Sequence, residues 1–248
     1  MNGSLHWHGP IVSLYGMKHI LLMMTLMVLV GCGEKAEPLP APHSAEDKPK
    51  TAQAVKAEAQ TTPEPSPNPA PAEEKLIADP IVEKAVRKEL KKPTGELTKA
   101  DFEKVTALEL YQNQLTELPK GLEKLTQLKG LYLGINQLTD VKGLEKLTQL
   151  EYLNLSGNQL TEVKGFDKLT QLKRLFLNYN QLTSVKGLEK LTQLTKLELL
   201  VLNGNKLTSV KGLENLTQLE RLSLQDNCDL TKAQIAEIRK ALPKCDID

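Results

Sequence analysis

Residues 128–150 read LKGLYLGINQLTDVKGLEKLTQL, and residues 150–172 read LEYLNLSGNQLTEVKGFDKLTQL. The second stretch is the first rewritten: all but one of its leucines, its asparagine and its VKG turn recur after 22 residues. Extending the pattern L-x-x-L-x-L-x-x-N in both directions finds six units, starting at Val105, Leu128, Leu150, Leu172, Leu197 and Leu219. Their asparagines are Asn113, Asn136, Asn158, Asn180, Asn205 and Asn227. A repeat this regular is the sequence signature of a stacked architecture.

The physics of one unit explains why copies are needed. The last two leucines of L-x-x-L-x-L alternate with period two, so they leave a short strand on the same side. A further apolar residue follows each asparagine (Leu138, Leu160 and Leu182, for example), and more come later in the unit, such as Val141, Leu144 and Leu147. A single coil cannot enclose all of these side chains, but a stack can, because each coil closes its neighbour's open end. The strands of successive coils then pair in parallel, about 4.8 Å apart. The asparagine stands where the chain leaves the strand, and a buried amide there is expected to bond backbone groups that water cannot reach.

These units resemble the leucine-rich repeat, and the 22-residue period with its TQL junction is most similar to the bacterial internalin-type class. The resemblance covers residues 79–248. It implies an α/β right-handed solenoid with a curved parallel sheet on the concave side, short helical or irregular turns on the convex side, and helical caps at both ends. It also implies binding of a protein or peptide through the concave face.

Two irregularities bend the pattern. The first unit carries one extra residue around Pro119, and LTQLTKLELLVLNGN at 191–205 carries three. Both Leu194-x-x-Leu197-x-Leu199 and Leu197-x-x-Leu200-x-Leu202 fit the strand template, but only the second meets Asn205 at the usual distance. That register is expected, with a bulge or kink near residues 194–199.

A stack needs polar ends. Asp79 is placed to N-cap a helix with Pro80 in its first turn, and Ile81, Val82, Ala85, Val86 and Leu90 give that helix an apolar face. Thr98 and Asp101 have capping-box spacing with Leu97 as the staple, and Thr231 and Gln234 repeat the signal before a helix ended by Pro243. Cys228 and Cys245 flank this last helix, which leaves two readings open. They form a disulfide, or Leu242-x-x-Cys245-x-Ile247 makes a seventh strand.

Upstream, Met17–Cys32 reads MKHILLMMTLMVLVGC. An apolar run of this length is too short to cross a bilayer of about 30 Å and suits a signal-peptide core. Its end, Leu29-Val30-Gly31-Cys32, resembles the bacterial lipobox. By that resemblance Cys32 is lipidated, the protein is membrane-anchored in the cell envelope, and Gly33 rather than Asp after the cysteine favours the outer membrane or cell surface. Residues 33–75 hold nine prolines among Ala, Glu, Lys, Thr and Ser, with no apolar periodicity. They are expected to form a disordered tether reaching roughly 130 Å when stretched. The expected organisation is therefore an upstream extension at 1–16, a signal peptide at 17–31, the tether at 32–78, a helical cap at 79–104, repeats at 105–227 and a second cap at 228–248.

All four histidines (His6, His8, His19 and His43) precede the repeats, which removes Ser-His-Asp, Cys-His and histidine-metal chemistry from them. No Gly-rich phosphate loop or isolated carboxylate pair appears either, so neither catalytic residues, nor a cofactor, nor a metal site is expected. With 32 basic against 31 acidic residues, the chain has no net field for nucleic acid. The lysines of the turns (Lys120, Lys142, Lys164, Lys186 and Lys211) each have an acid three residues on, so that stripe reads as a solvated, compensated face.

What varies between units is the set of residues around the inward leucines. Tyr111, Tyr132, Tyr152, Asn154, Arg174, Phe176, Asn178, Leu199, Val201 and Arg221 fall at outward positions of the strands, and Tyr179 lies just past one. Aromatics with arginine are the composition of interface anchors. Six strands span roughly 25–30 Å, so the patch is smaller than the about 800 Å² per partner of a standard interface and suits a narrow ligand. The expected function is a lipid-anchored, extracytoplasmic binding module for a protein or peptide, monomeric as a solenoid. The alternatives are a cell-wall or glycan binder using the same aromatics, or a structural repeat without a specific ligand.

Overall fold

The computed structural model describes residues 76–188 and 196–248. The lipobox, the tether and the three-residue insertion with its expected bulge lie largely outside these residues. Seven parallel strands form one open sheet in strict chain order: β1 Ala107–Glu109, β2 Gly130–Tyr132, β3 Tyr152–Asn154, β4 Arg174–Phe176, β5 Leu199–Val201, β6 Arg221–Ser223 and β7 Asp246–Ile247. Each strand pairs with the next at the equivalent repeat position, for example Leu131 with Leu153 and Leu153 with Leu175. In β5 it is Leu200 that pairs with Leu175, so the chain takes the second of the two possible registers.

The seventh strand settles the C-terminal ambiguity. Ile247 pairs with Leu222 and is buried, while Cys245 is a half-buried free thiol at the strand's entrance. No disulfide joins Cys245 to Cys228. The chain instead closes its stack with one more apolar coil edge.

Helix α1 (Pro80–Leu90) covers the first coil. Asp79 accepts hydrogen bonds from the amides of Ile81 and Val82 at its N-terminus, and Val82 and Val86 are fully buried beneath it. Helix α2 (Lys99–Phe102) is a single turn held by a capping box between Thr98 and Asp101, with Phe102 and Leu97 buried. Helix α3 (Lys232–Ala241) begins with the matching box of Thr231 and Gln234 and buries Ile238. On the convex side, short 3-10 turns at Leu122–Lys124, Leu144–Lys146 and Leu213–Asn215 follow glycines with positive φ.

Those turns give the acid that follows the lysine a second role in three of the units. Glu123, Glu145 and Glu214 accept hydrogen bonds from the amides of Gly121, Gly143 and Gly212, two residues back. The bond satisfies a donor at the start of a 3-10 turn, so the acid recurs for a backbone reason.

The asparagines form a continuous ladder from the second unit onward. Asn136, Asn158, Asn180, Asn205 and Asn227 are buried. The side-chain amide of Asn158 donates to the carbonyls of Leu133 (3.0 Å) and Leu155 (2.9 Å), and its Oδ1 accepts from the Leu138 amide (3.0 Å). Leu155 in turn also accepts from Asn180, and the carbonyls of Leu133, Leu177 and Leu202 likewise each join two asparagines. Asn113 departs from the expectation. It is exposed, and its side chain reaches only its own coil, donating to the Tyr111 carbonyl. The first coil has no preceding coil to bond.

Asp101 gives the N-terminal cap an acid sensitivity. Its carboxylate accepts from Lys92 Nζ at 2.7 Å and from the Thr98 amide at 3.0 Å. The Lys92 contact first, then the Thr98 amide, hold its pKa well below the usual carboxylate range. A depressed folded-state pKa stabilises above the unfolded value of about 3.9 and loses that stabilisation as pH falls below it. Asp101→Asn is therefore expected to flatten the fall in denaturation midpoint below about pH 4 relative to wild type. A urea titration repeated across pH checks this, and parallel profiles for the two proteins would count against it.

Candidate functional site

The outward side chains of the sheet line up in rows across the strands, because each strand is paired at the same repeat position. One row runs Ala107, Gly130, Tyr152, Arg174, Leu199, Arg221 and Asp246. The next runs Glu109, Tyr132, Asn154, Phe176, Val201 and Ser223. A third, just past the strands, holds Tyr111, Gly134, Ser156, Asn178, Asn203 and Gln225. Backbone bonds such as Gln112 to Gly134 and Ile135 to Ser156 keep it aligned.

Three aromatics are brought together. The Tyr132 and Tyr152 ring centroids are 4.8 Å apart and tilted by 33°, and Tyr152 and Phe176 are 5.2 Å apart at 37°. They zigzag between the first two rows over β2, β3 and β4. Pairs at this separation attract each other beyond simple area burial. All three rings are half-buried. The zigzag continues into Leu199 and Val201, also half-buried, which extends the apolar centre across β5.

Glycines make room for the rings. Tyr132 leans over Gly130: a Cβ there would lie 3.5 Å from its ring. Tyr111 lies over Gly134, where a Cβ would sit 3.1 Å from the ring and 3.3 Å from Asn154 Oδ1. Tyr111 thus belongs to the face but stands in the third row, 37 % exposed. Tyr179 does not join the stack. It has a positive φ of 55° in the turn column after the strand, and its ring covers Gly204 of the next coil. Its role there is to close a coil-to-coil gap that Gly204 leaves open.

The polar groups surround this centre. Asn154 Oδ1 accepts from the Ser156 amide at 2.9 Å and from its hydroxyl, which fixes the amide beside Tyr152. Asn178 is half-buried in the third row. Arg174 and Arg221 are exposed in the first row, on either side of Leu199. Arg221 Nε lies 3.6 Å from Asp246, and Lys88 of α1 reaches Glu109 at 2.6 Å. Burial raises the pKa of the Tyr111, Tyr132 and Tyr152 phenols, with the Glu109 carboxylate adding to the shift at Tyr132 and Tyr132 adding to that at Tyr152. All three therefore stay neutral hydrogen-bond donors through the physiological range. Among the described residues, no group of three or more His, Cys, Asp and Glu side chains comes together.

Two features escaped the sequence reading. Asp246 and Asp248 extend the face because β7 exists, and the Leu242-x-x-Cys245-x-Ile247 spacing was the signal for it. Asn203 Oδ1 is buried in the third row with no hydrogen-bond partner. Nothing local in the sequence marks it, since its burial comes from neighbouring strands.

A family model for leucine-rich repeats (two copies) matches residues 126–168 and 148–190. No curated protein matches the chain. Among solved structures, internalin C2 of Listeria monocytogenes superposes with a TM-score of 0.53 at 26 % identity, covering 69 % of this chain and 83 % of that one. An internalin F of the same species gives a TM-score of 0.54 at 25 % identity over 69 % of this chain, which spans 56 % of that longer protein. Period, sheet topology, asparagine ladder and these likenesses agree: the chain folds as a leucine-rich-repeat solenoid similar to those of the internalins.

Proposed function

We propose that this chain is a binding module that captures a protein or peptide on its concave face, held at the bacterial cell envelope by a lipid on Cys32 and a proline-rich tether. The observation that carries the binding role is the stacked Tyr132–Tyr152–Phe176 ladder at the centre of the face whose residues vary between units. Half-buried rings flanked by arginines supply anchor area with little side-chain entropy to lose. The ladder stands on a rigid sheet, so little ordering of the protein opposes binding. The envelope location rests on the signal-like run and lipobox of residues 17–32 and on the likeness to internalins. A repeat scaffold of this kind serves interaction, and the face offers anchors and neutral donors for recognition.

The test is the variant with Tyr132, Tyr152 and Phe176 all changed to Ala, paired with a photo-crosslinking residue at position 154 in intact cells. Capture at position 154 is expected in the parent and is expected to fall at least about tenfold in the triple variant, the scale of losing one interface anchor. Unchanged capture, with a circular dichroism spectrum showing the fold intact, rejects the concave site. Retention of the parent on isolated peptidoglycan, lost in the triple variant, would assign the face to a glycan instead. Globomycin-sensitive processing and loss of membrane fractionation in Cys32→Ser test the anchor.

A further inference from the structure

We propose that the concave face recognises an acidic, proline-rich segment in polyproline II conformation, lying across the strands with one turn to every two strands. This rests on the reading of that face as the binding surface, and it names the chemistry of the ligand.

The argument starts from spacing. Strands are about 4.8 Å apart, so equivalent positions on alternate strands recur every 9.6 Å or so. Polyproline II advances about 3.1 Å per residue with three residues per turn, or about 9.3 Å per turn. A polyproline II ligand crossing the sheet therefore stays in step over several turns. An extended β ligand presents side chains to one face about every 6.8 Å, which matches neither one strand spacing nor two.

The anchors fall on that alternate-strand period. In the middle row the aromatics stand on β2 and β4, as Tyr132 and Phe176, with the small amide Asn154 between them. Tyr152 fills the diagonal between the rings, 4.8 and 5.2 Å from its neighbours, which makes a continuous aromatic floor. Aromatic floors of this kind are what proline-rich segments dock on, because the ligand is already ordered before it binds. In the adjacent row the cations stand on β4 and β6, as Arg174 and Arg221, with Leu199 between them. Two carboxylates three residues apart on a polyproline II edge would meet the two guanidiniums.

The charges around the arginines leave them available. Lys173 and Glu151, beside Arg174, pair with each other at 2.7 Å, and Glu109 is engaged by Lys88. The Arg221 contact with Asp246 is 3.6 Å long between exposed side chains, and such a contact is weak. A ligand carboxylate can form the shorter, two-bonded pair with either guanidinium.

The test uses the full chain and three fluorescein-labelled peptides: a Pro-Pro-Glu repeat of four triplets, the Pro-Pro-Lys repeat, and a Gly-Gly-Glu repeat with the same charges but no stiff helix. Anisotropy is expected to show binding of Pro-Pro-Glu that weakens with added salt, no binding of Pro-Pro-Lys, and at least tenfold weaker binding of Gly-Gly-Glu. Arg174→Ala and Arg221→Ala are each expected to weaken Pro-Pro-Glu about tenfold, the scale of one charged hydrogen bond. Equal binding of the proline and glycine peptides, or arginine variants that bind like the parent, overturns the proposal. No binding of Pro-Pro-Glu, while position 154 still crosslinks its partner in cells, overturns the ligand chemistry alone. Loss of both overturns the reading of the face itself.

Discussion

Asn158→Leu is expected to destabilise the repeats by about 2–4 kcal/mol although leucine keeps the branched shape of asparagine and the site is buried. The Leu138 amide loses its acceptor outright, which is the costly part of the change. The carbonyls of Leu133 and Leu155 each lose one of their two asparagine donors but keep Asn136 and Asn180 respectively. The ladder is thereby cut between two coils. In a stack held by nearest-neighbour contacts, a weakened interface lets the two sides unfold separately. The variant is expected to show a lower urea midpoint and a broadened or biphasic transition, and to expose the Leu138 amide to hydrogen exchange. Asn113→Leu is the matched control, because the exposed Asn113 side chain bonds only within its own coil and its backbone amide, which donates to Asn136, is kept in the variant. Its expected effect is within about 0.5 kcal/mol. Equal losses at both positions would show that the ladder contributes nothing beyond the local turn.

Phe166→Ala is the other large effect, expected to cost about 3–5 kcal/mol. Phe166 is 2 % exposed and heads the largest fully buried side chains. It occupies the coil position taken by Leu122, Leu144, Leu188 and Leu213 elsewhere, all buried. Removing the ring opens a cavity in the middle of the stack, where coils on both sides restrict collapse. Because leucine serves in the other coils, Phe166→Leu is expected to recover most of the loss. Both variants should shift the urea midpoint with the slope unchanged. Equal midpoints for the alanine and leucine variants would mean that this coil does not pack as its neighbours do.

Much of the fold was legible because the repeat is its own alignment. Six copies of one pattern separated the positions that must be leucine from those free to vary, and period two then assigned the variable ones to the outer face. The same logic failed where a residue's role depends on having a neighbour on one particular side. Asn113 fits the pattern as well as Asn158 does, yet it opens the stack and has nothing behind it to bond. Glu145 reads in sequence only as a charge balancing the lysine stripe, and it also accepts from the Gly143 amide. Tyr179 has the composition of an anchor, but the turn's positive φ turns it onto Gly204.

By itself the sequence determined the stacking, the strand register through Asn205, the helix caps and the identity of the outward residues. These follow from local periodicity and from the short reach of capping bonds, both readable along one chain. Only the tertiary structure decided that Tyr132, Tyr152 and Phe176 touch, that Tyr111 and Tyr179 do not share their stack, and that Cys245 opens a seventh strand rather than a disulfide. Those outcomes depend on lateral distances between neighbouring coils, where ring orientation and the neighbouring glycine, not spacing in sequence, set what meets what.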